Sequence, residues 1–243
     1  SQIYGGLDID AFYSVSKIDN DYGYIAVGQT KSYMLDNSRI KNPGFFGRII
    51  ASIFKKKPTS EVWIMNIDEY GDKNWHNTYG GKKEDIAKSV KQSGDGGYII
   101  TSETSSKGAG KMDIWVKKVD NDGRLKWDIT IGGKKDEFSS STAVGTKQEI
   151  FISGYKNEKE KFSLINLIKP NKNVKKNDKQ GVRGFLVMLD KTGKIKWELD
   201  PIDESNNLVS FLGASKNGVL ITGQKSTEFN GRGDMWLISA SGK

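Results

Sequence analysis

The sequence has no cysteine, four prolines and a single histidine in 243 residues. Without cysteine, disulfide bonds and thiolate metal sites are excluded. Few prolines beside 28 glycines argue against a collagen-like or proline-rich disordered chain and suit many tight turns. No run of about 18 apolar residues is present either, so the sequence predicts neither a membrane span nor a signal peptide.

Arginine is also scarce, since it supplies only five of the 38 basic residues. Lysine therefore carries the net charge of +8. Its compact ammonium group is attracted to anionic surfaces, but it lacks the planar fork that reads bases and grips phosphates in pairs. We expect no specific nucleic-acid partner, whereas peripheral contact with an anionic membrane or envelope surface fits this charge.

What the sequence does contain is a repeat. Its best-preserved copies, at 75–81 and 127–133, begin 52 residues apart and share a Trp followed by a Gly-Gly pair. Short apolar segments separated by Gly and Asp turns recur around them. A period of about 50 residues built in this way predicts repeated β-sheet units.

Each unit is predicted to form four short antiparallel strands joined by hairpins, which is one blade of a β-propeller. Three units share an Asp-x-x-Gly-x-x-x-Trp hairpin, at 68–75, 120–127 and 190–197. The aromatic residues of the repeat are expected to pack between neighbouring sheets, which gives all six tryptophans a structural role. They are Trp63, Trp75, Trp115, Trp127, Trp197 and Trp236.

The fold class is therefore predicted to be all-β, a four-repeat β-propeller that forms one domain over 1–243. Residues 1–6 match the end of a fourth strand, and 241–243 match the turn before one. We expect the N-terminal strand to complete the C-terminal blade and close the ring, giving a monomer. The alternative is that the chain is part of a larger ring.

The repeat resembles known proteins. Gly97-Tyr98-Ile99-Ile100, the strand at 113–120 and the Gly-Gly turns are similar to the tandem β-propeller repeats of bacterial and archaeal surface proteins and lipoproteins. That resemblance implies an extracytoplasmic bacterial protein, secreted or anchored at the cell surface. Residues 189–197 also resemble, distantly, the tryptophan-docking repeat of quinoprotein propellers, although their Asp-to-Gly spacing is one residue short and vicinal cysteines are absent.

No catalytic motif stands out. His76 is the only histidine, follows Trp75 in a predicted outer strand and is expected to be a solvated strand residue. The sequence has neither a Gly-x-Ser-x-Gly segment nor a phosphate loop. We therefore predict a protein that is not an enzyme and that carries no organic cofactor.

Acidic residues recur after the Gly-Gly turns, among them Asp10, Asp85 and Glu137. Repetition about an axis would bring such carboxylates to one mouth of a channel, where they are candidate ligands for calcium. The alternative is that each one caps its own turn by accepting backbone N–H groups. Paired carboxylates would also suit glycoside chemistry.

Two insertions interrupt the repeat between the second and third strands of the first and third blades, at 31–60 and 155–184. Their positions place them on the same end of the blades as the Gly-Gly turns, so that end is the predicted functional face. Apolar residues at helical spacing, with lysines, predict one short amphipathic helix in each insertion. The residues predicted to contact a partner are Phe45, Phe46, Ile49, Ile50, Ile53, Phe54, Lys55, Lys56, Lys57, Phe162, Ile165 and Ile168.

The hypothesis that follows is a non-enzymatic binding module. It would recognise a protein, a glycan or an anionic envelope component through the face that bears the insertions. One alternative is a propeller-type carbohydrate-active or quinoprotein-like enzyme that uses axial carboxylates. The other is a scaffold fragment of a larger propeller.

Overall fold

The computed structural model describes residues 2–6, 8–19, 22–32, 59–157, 182–199, 206–215, 218–226 and 233–240. The amphipathic helices predicted in the two insertions, with all twelve of their candidate contact residues, lie outside these ranges. The described part of the chain is all-β, as predicted, and contains no helix.

The first two sheets are four-stranded antiparallel meanders. Sheet 1 contains β1 (Asp10–Lys17), β2 (Tyr24–Thr30), β3 (Glu61–Ile67) and β4 (Lys73–Tyr79). Sheet 2 contains β5 (Asp85–Gln92), β6 (Tyr98–Thr104), β7 (Asp113–Val119) and β8 (Leu125–Ile131). The predicted strands of the second unit therefore form, each slightly longer than the sequence indicated.

The other two sheets follow the same order. Sheet 3 contains β9 (Asp136–Val144), β10 (Ile150–Asn157), β11 (Val182–Leu189) and β12 (Ile195–Leu199). Sheet 4 has three described strands, β13 (Asn206–Ser215), β14 (Gly218–Ser226) and β15 (Gly233–Ala240). The bounds predicted for the second insertion were too wide, because Tyr155 pairs with Gly184 and Asn157 with Val182 across β10 and β11.

Consecutive sheets pack face to face around apolar clusters. Between sheets 1 and 2, Val27 and Ile64 meet Ile100 and Val119. A second cluster joins sheets 2 and 3, and a third joins sheet 3 to Val219 and Ile221 of sheet 4. The first strands β1, β5, β9 and β13 lie beside one another in sequence order. This arrangement is the one expected of consecutive propeller blades.

The shared hairpin links sheet 1 to sheet 2 and sheet 2 to sheet 3. Asp120 Oδ1 accepts the backbone N–H groups of Asp122 and Arg124, at 3.1 and 2.8 Å, and so holds the turn. Gly123 lies in that turn with φ of 75° and contacts the ring of Trp75 from sheet 1. Trp127 packs in the same way on Gly193 of sheet 3. The Asp-x-x-Gly-x-x-x-Trp segment thus supplies both a turn and a tryptophan that contacts a neighbouring sheet.

The predicted structural tryptophans occupy these packing positions. Trp63 and Trp115 are buried on third strands, while Trp75, Trp127 and Trp197 are partly buried against the three clusters. The side chain of Trp236 is outside the described part of the structure. Five of the six therefore lie between sheets or within a sheet's buried face.

The closure of the ring is not shown. Residues 2–6 form no strand, and β1 and β13 are not extensively packed against each other in the described part of the chain. Leu220 of sheet 4 is 42% exposed, whereas its counterparts Ile25, Ile99 and Phe151 are at most 3% exposed. The far side of sheet 4 is therefore less covered than the matching sides of the other three.

Candidate functional site

One end of the sheets brings together the Gly-Gly turns and the connections between second and third strands. The backbone N–H of Asp85 donates to the carbonyl of Ser60 at 2.8 Å, and that of Glu137 donates to Met112 at 2.9 Å. We call residues 5–6, 8–9, 80–84, 105–112 and 132–136 the Gly-Gly face. Both predicted insertions leave and re-enter the sheets at this end, as the sequence indicated.

On this face, Asp10 binds its own turn. Its carboxylate accepts the backbone N–H of Gly6 at 2.7 Å, the hydroxyl of Ser32 at 2.7 Å and the hydroxyl of Thr30. Burial would raise the pKa of Asp10, but these hydrogen bonds together hold it below its usual value. The carboxylate is therefore ionised at neutral pH and fully engaged.

Asp85 repeats the same arrangement in sheet 2. It accepts the backbone N–H of Gly81 at 2.8 Å, the hydroxyl of Ser106 at 2.7 Å and the hydroxyl of Thr104. Two of the three residues predicted to bind calcium thus act as caps of their own turns, which was the alternative interpretation of the sequence.

Glu137 departs from this pattern. It accepts one backbone N–H, from Gly133 at 3.2 Å. Its Oε2 lies close to Oδ1 of Asp113 in sheet 2, because a Cβ added to Gly132 would be 2.7 Å from the first atom and 2.3 Å from the second. Burial raises the pKa of both carboxyls, and each is raised further by neighbouring carboxylates. Asp113 is 1% exposed, and its Oδ1 has no hydrogen-bond partner within the described structure.

These acids do not form a recognisable metal centre. Over the described residues, no group of three or more His, Cys, Asp or Glu side chains is arranged to hold a metal ion. Calcium binding by Asp10, Asp85 and Glu137 therefore stays a prediction.

Lysines form the outer surface of the same face. Lys82 and Lys83 follow one Gly-Gly pair, Lys134 and Lys135 follow the next, and all four are exposed. The second pair lines a cleft of about 420 Å³, together with Lys156 and Glu137. Because Asp85 faces into its own turn and Glu84 is paired with Lys31, the exposed charge of the turns at 80–84 and 132–136 is mainly positive, whereas the turn of sheet 1 carries the exposed Asp8 and no lysine.

His76 has no catalytic setting in the described structure. It lies on β4 opposite Met65, as expected of an outer strand residue, but it is partly buried rather than fully solvated. Burial, helped by the nearby charge of Lys73, lowers its pKa. Its Nδ1 has no hydrogen-bond partner there, so the orienting carboxylate of a triad is missing.

Sequence reasoning missed two groups of residues. Lys117 is completely buried between sheets 1 and 2, at a position that holds Met65 in sheet 1 and Val187 in sheet 3. Tyr13 and Lys88 project from the first strands at repeated irregularities of the pairing. A residue-by-residue comparison of the repeats would have found Lys117, because it breaks an apolar position.

No protein-family model matches the chain, and no curated protein matches it at a significant level. The described part holds no helix with the length and apolar character that crossing a bilayer requires.

Proposed function

We propose that this protein is a non-enzymatic, extracytoplasmic β-propeller that binds an anionic polymer of the cell envelope through its Gly-Gly face. The observation that carries the proposal is the separation of charge at that face. The side chains of Lys82, Lys83, Lys134 and Lys135 are exposed, while the carboxylates of Asp10 and Asp85 are held by their own turns. Clustered exposed lysines attract a polyanion without demanding one fixed geometry.

The insertions support the same face. Both leave the sheets beside these lysines, and the first contains Lys55, Lys56 and Lys57. A basic amphipathic segment there would extend the positive surface and add apolar contacts with a membrane or a partner. The candidate contact residues of both insertions remain part of the proposal.

We expect the quadruple variant K82Q/K83Q/K134Q/K135Q to bind purified teichoic acid or polygalacturonate at least about tenfold more weakly than the unchanged protein. A lysine close to an anionic surface contributes roughly 1 kcal/mol, and about 1.4 kcal/mol is a factor of ten. Isothermal titration calorimetry at low salt measures the affinities.

The matched control removes the same charge from the opposite end of the sheets. Lys91, Lys147, Lys191 and Lys194 are all exposed there, and K91Q/K147Q/K191Q/K194Q should retain most of the affinity. Equal losses in the two variants would mean that net charge, rather than this face, attracts the polymer. The proposal would be refuted if the unchanged protein bound neither polymer and also failed to bind vesicles of anionic lipid.

We further infer that the ring closes within one chain. Gln2 Nε2 donates to Asp72 Oδ1 at 2.9 Å, and Gln2 lies against Gly71. Asn77, two residues after Trp75, makes the matching contact with Gly123 of the next sheet. These matching contacts support a ring in which residues 2–6 take, beside sheet 1, the place of a fourth strand from a preceding sheet.

The exposed Leu220 favours a second candidate function, in which the chain is a scaffold that supplies blades to a larger ring. Light scattering separates the two. A closed ring predicts a monomer of 27.0 kDa at all concentrations measured. A stable dimer that dissociates when Leu220 is changed to Lys would instead support a ring shared between chains.

A further inference from the structure

Every first strand carries one β-bulge at the same place in the repeat. The pairing register shifts between Phe12 and Ser14, and between Ala87 and Ser89. Corresponding shifts occur in β9 and β13. The extra residues are Tyr13, Lys88, Ser140 and Ser210.

A β-bulge re-aims one side chain out of the regular alternation, and bulges are common beside functional sites. Here the strands that carry the bulges are the ones that lie next to one another at the centre of the arrangement. The four extra residues are one tyrosine, one lysine and two serines, so all are polar but they are not all alike. Strand geometry therefore repeats while the chemistry presented at the centre varies.

The described side chains of two bulges meet. Lys88 Nζ lies 5.4 Å from the centre of the Tyr13 ring and 3.1 Å from Glu103 Oε2. Glu103, on β6, is 7% exposed. Burial raises its pKa, which Lys88 and the backbone N–H of Ser139 partly offset. We call Tyr13, Lys88 and Glu103 the bulge cluster.

The bulge cluster has the composition of a small binding site. Tyr13 is 50% exposed, so its side chain is accessible to a ligand. Beside it, Lys88 supplies N–H donors and Glu103 supplies acceptors, and their opposite charges cancel. Such a site offers an apolar platform with charge-assisted hydrogen bonds but no net attraction for ions.

We propose that the bulge cluster binds a neutral saccharide unit. The C–H face of a sugar ring packs on the Tyr13 ring, and two neighbouring hydroxyls bond to Lys88 and Glu103. Lys88 is three residues along β5 from Asp85, or about 10 Å from the Gly-Gly face. The site is therefore separate from the exposed lysines and requires a different ligand chemistry from the one proposed for them.

The test uses maltotetraose, cellotetraose and chitotetraose as probes, titrated into the whole protein by calorimetry. At least one is expected to bind, with an affinity that changes less than about twofold between about 0.05 and 0.5 M salt, because the cluster carries no net charge. Polyanion binding at the Gly-Gly face must fall steeply over the same range.

Tyr13→Ala is expected to weaken saccharide binding at least about tenfold, whereas Tyr13→Phe keeps the ring and stays within about threefold. Lys88→Met should also weaken binding, and Lys91→Met, on the same strand, is the control. Tyr13 is half exposed, so these changes should leave the circular dichroism spectrum unchanged.

Two results would overturn this inference. One is that none of the three tetrasaccharides binds at about 10 mM, well above the millimolar range expected of a weak site. The other is that a saccharide binds outside the bulge cluster. In that case saccharide binding would survive Tyr13→Ala or would be lost in K82Q/K83Q/K134Q/K135Q. If the unchanged protein bound a saccharide but no polyanion, the proposed function would be refuted and the saccharide site would still be supported.

Discussion

Replacing Gly123 with alanine is expected to lower the free energy of unfolding by about 3 kcal/mol. Two independent effects act at this position. Gly123 has φ of 75°, which disfavours any residue with a Cβ, and that Cβ would lie 2.4 Å from Cζ3 of Trp75. The carbonyl of Gly123 also accepts hydrogen bonds from Asn77, at 2.9 Å, and from the hydroxyl of Tyr79. Urea denaturation followed by tryptophan fluorescence measures the loss.

Gly96→Ala is the matched control for Gly123→Ala. Gly96 also sits in a hairpin turn with positive φ, of 84°, but nothing lies within 4 Å of its Cβ position. Its replacement should cost only the backbone strain, about 1 kcal/mol. The difference between the two variants reports the contact between sheets 1 and 2. Equal losses would mean that this contact contributes little and that the repeated tryptophan does not lock neighbouring sheets.

Replacing Lys117 with methionine is expected to stabilise the protein by about 2 kcal/mol, the order found when buried charged groups give way to packed apolar residues. Lys117 is completely buried, and its Nζ donates to Ser102 Oγ at 2.7 Å and lies 3.3 Å from the centre of the Trp115 ring. Burial lowers its pKa well below the usual 10.5, although Asp85 and Asp128 partly offset the effect. Methionine already occupies the matching position, Met65, in sheet 1.

The stabilisation by Lys117→Met should depend on pH. Between the lowered pKa of the folded state and 10.5, the unfolded chain binds a proton at Lys117 that the folded chain does not. The free energy of unfolding of the unchanged protein therefore gains a contribution that rises with pH through this window, which the methionine variant lacks. The advantage of the variant should be largest at neutral pH and shrink toward pH 10.5.

Lys118→Met is the control for Lys117→Met. Lys118 is the next residue and is also buried, but its ammonium group is paired with Asp95 and bonded to Ser93. Burial would raise the pKa of Asp95, yet its hydrogen bonds from Lys118 and Ser93 lower it to about 2. Removing this partner should destabilise the protein. If both variants lost stability to the same extent, Lys117 would not be the uncompensated charge that its surroundings indicate.

The sheet order could be predicted because the repeat uses residues with narrow structural demands. A turn held by Asp120 needs Gly123 at positive φ, and the aromatic four residues later must cover apolar surface. Because these demands recur at a fixed spacing, they can be recognised in the sequence. The strand ends were less legible, since pairing across β10 and β11 continues through Tyr155 and Gly184, beyond the apolar part of the strands.

The candidate sites were less predictable for a physical reason. Whether Asp85 binds a cation or its own turn depends on Thr104 and Ser106, which pairing between β5 and β6 brings to it from about 20 residues away. The bulges at Tyr13 and Lys88 leave no mark in the sequence, because a bulge requires no particular residue type. Which end of the sheets would carry the insertions followed from topology alone and was predicted.

The most direct test of the proposed function is to map the bound polymer onto the protein by NMR. Amide shifts recorded during titration with short teichoic acid or galacturonate oligomers report which end of the sheets is contacted. The account predicts that the changes concentrate at 80–84 and 132–136, with 94–97, 121–124 and 145–148 unaffected. Changes concentrated in those last three turns, or spread evenly over both ends, would contradict it.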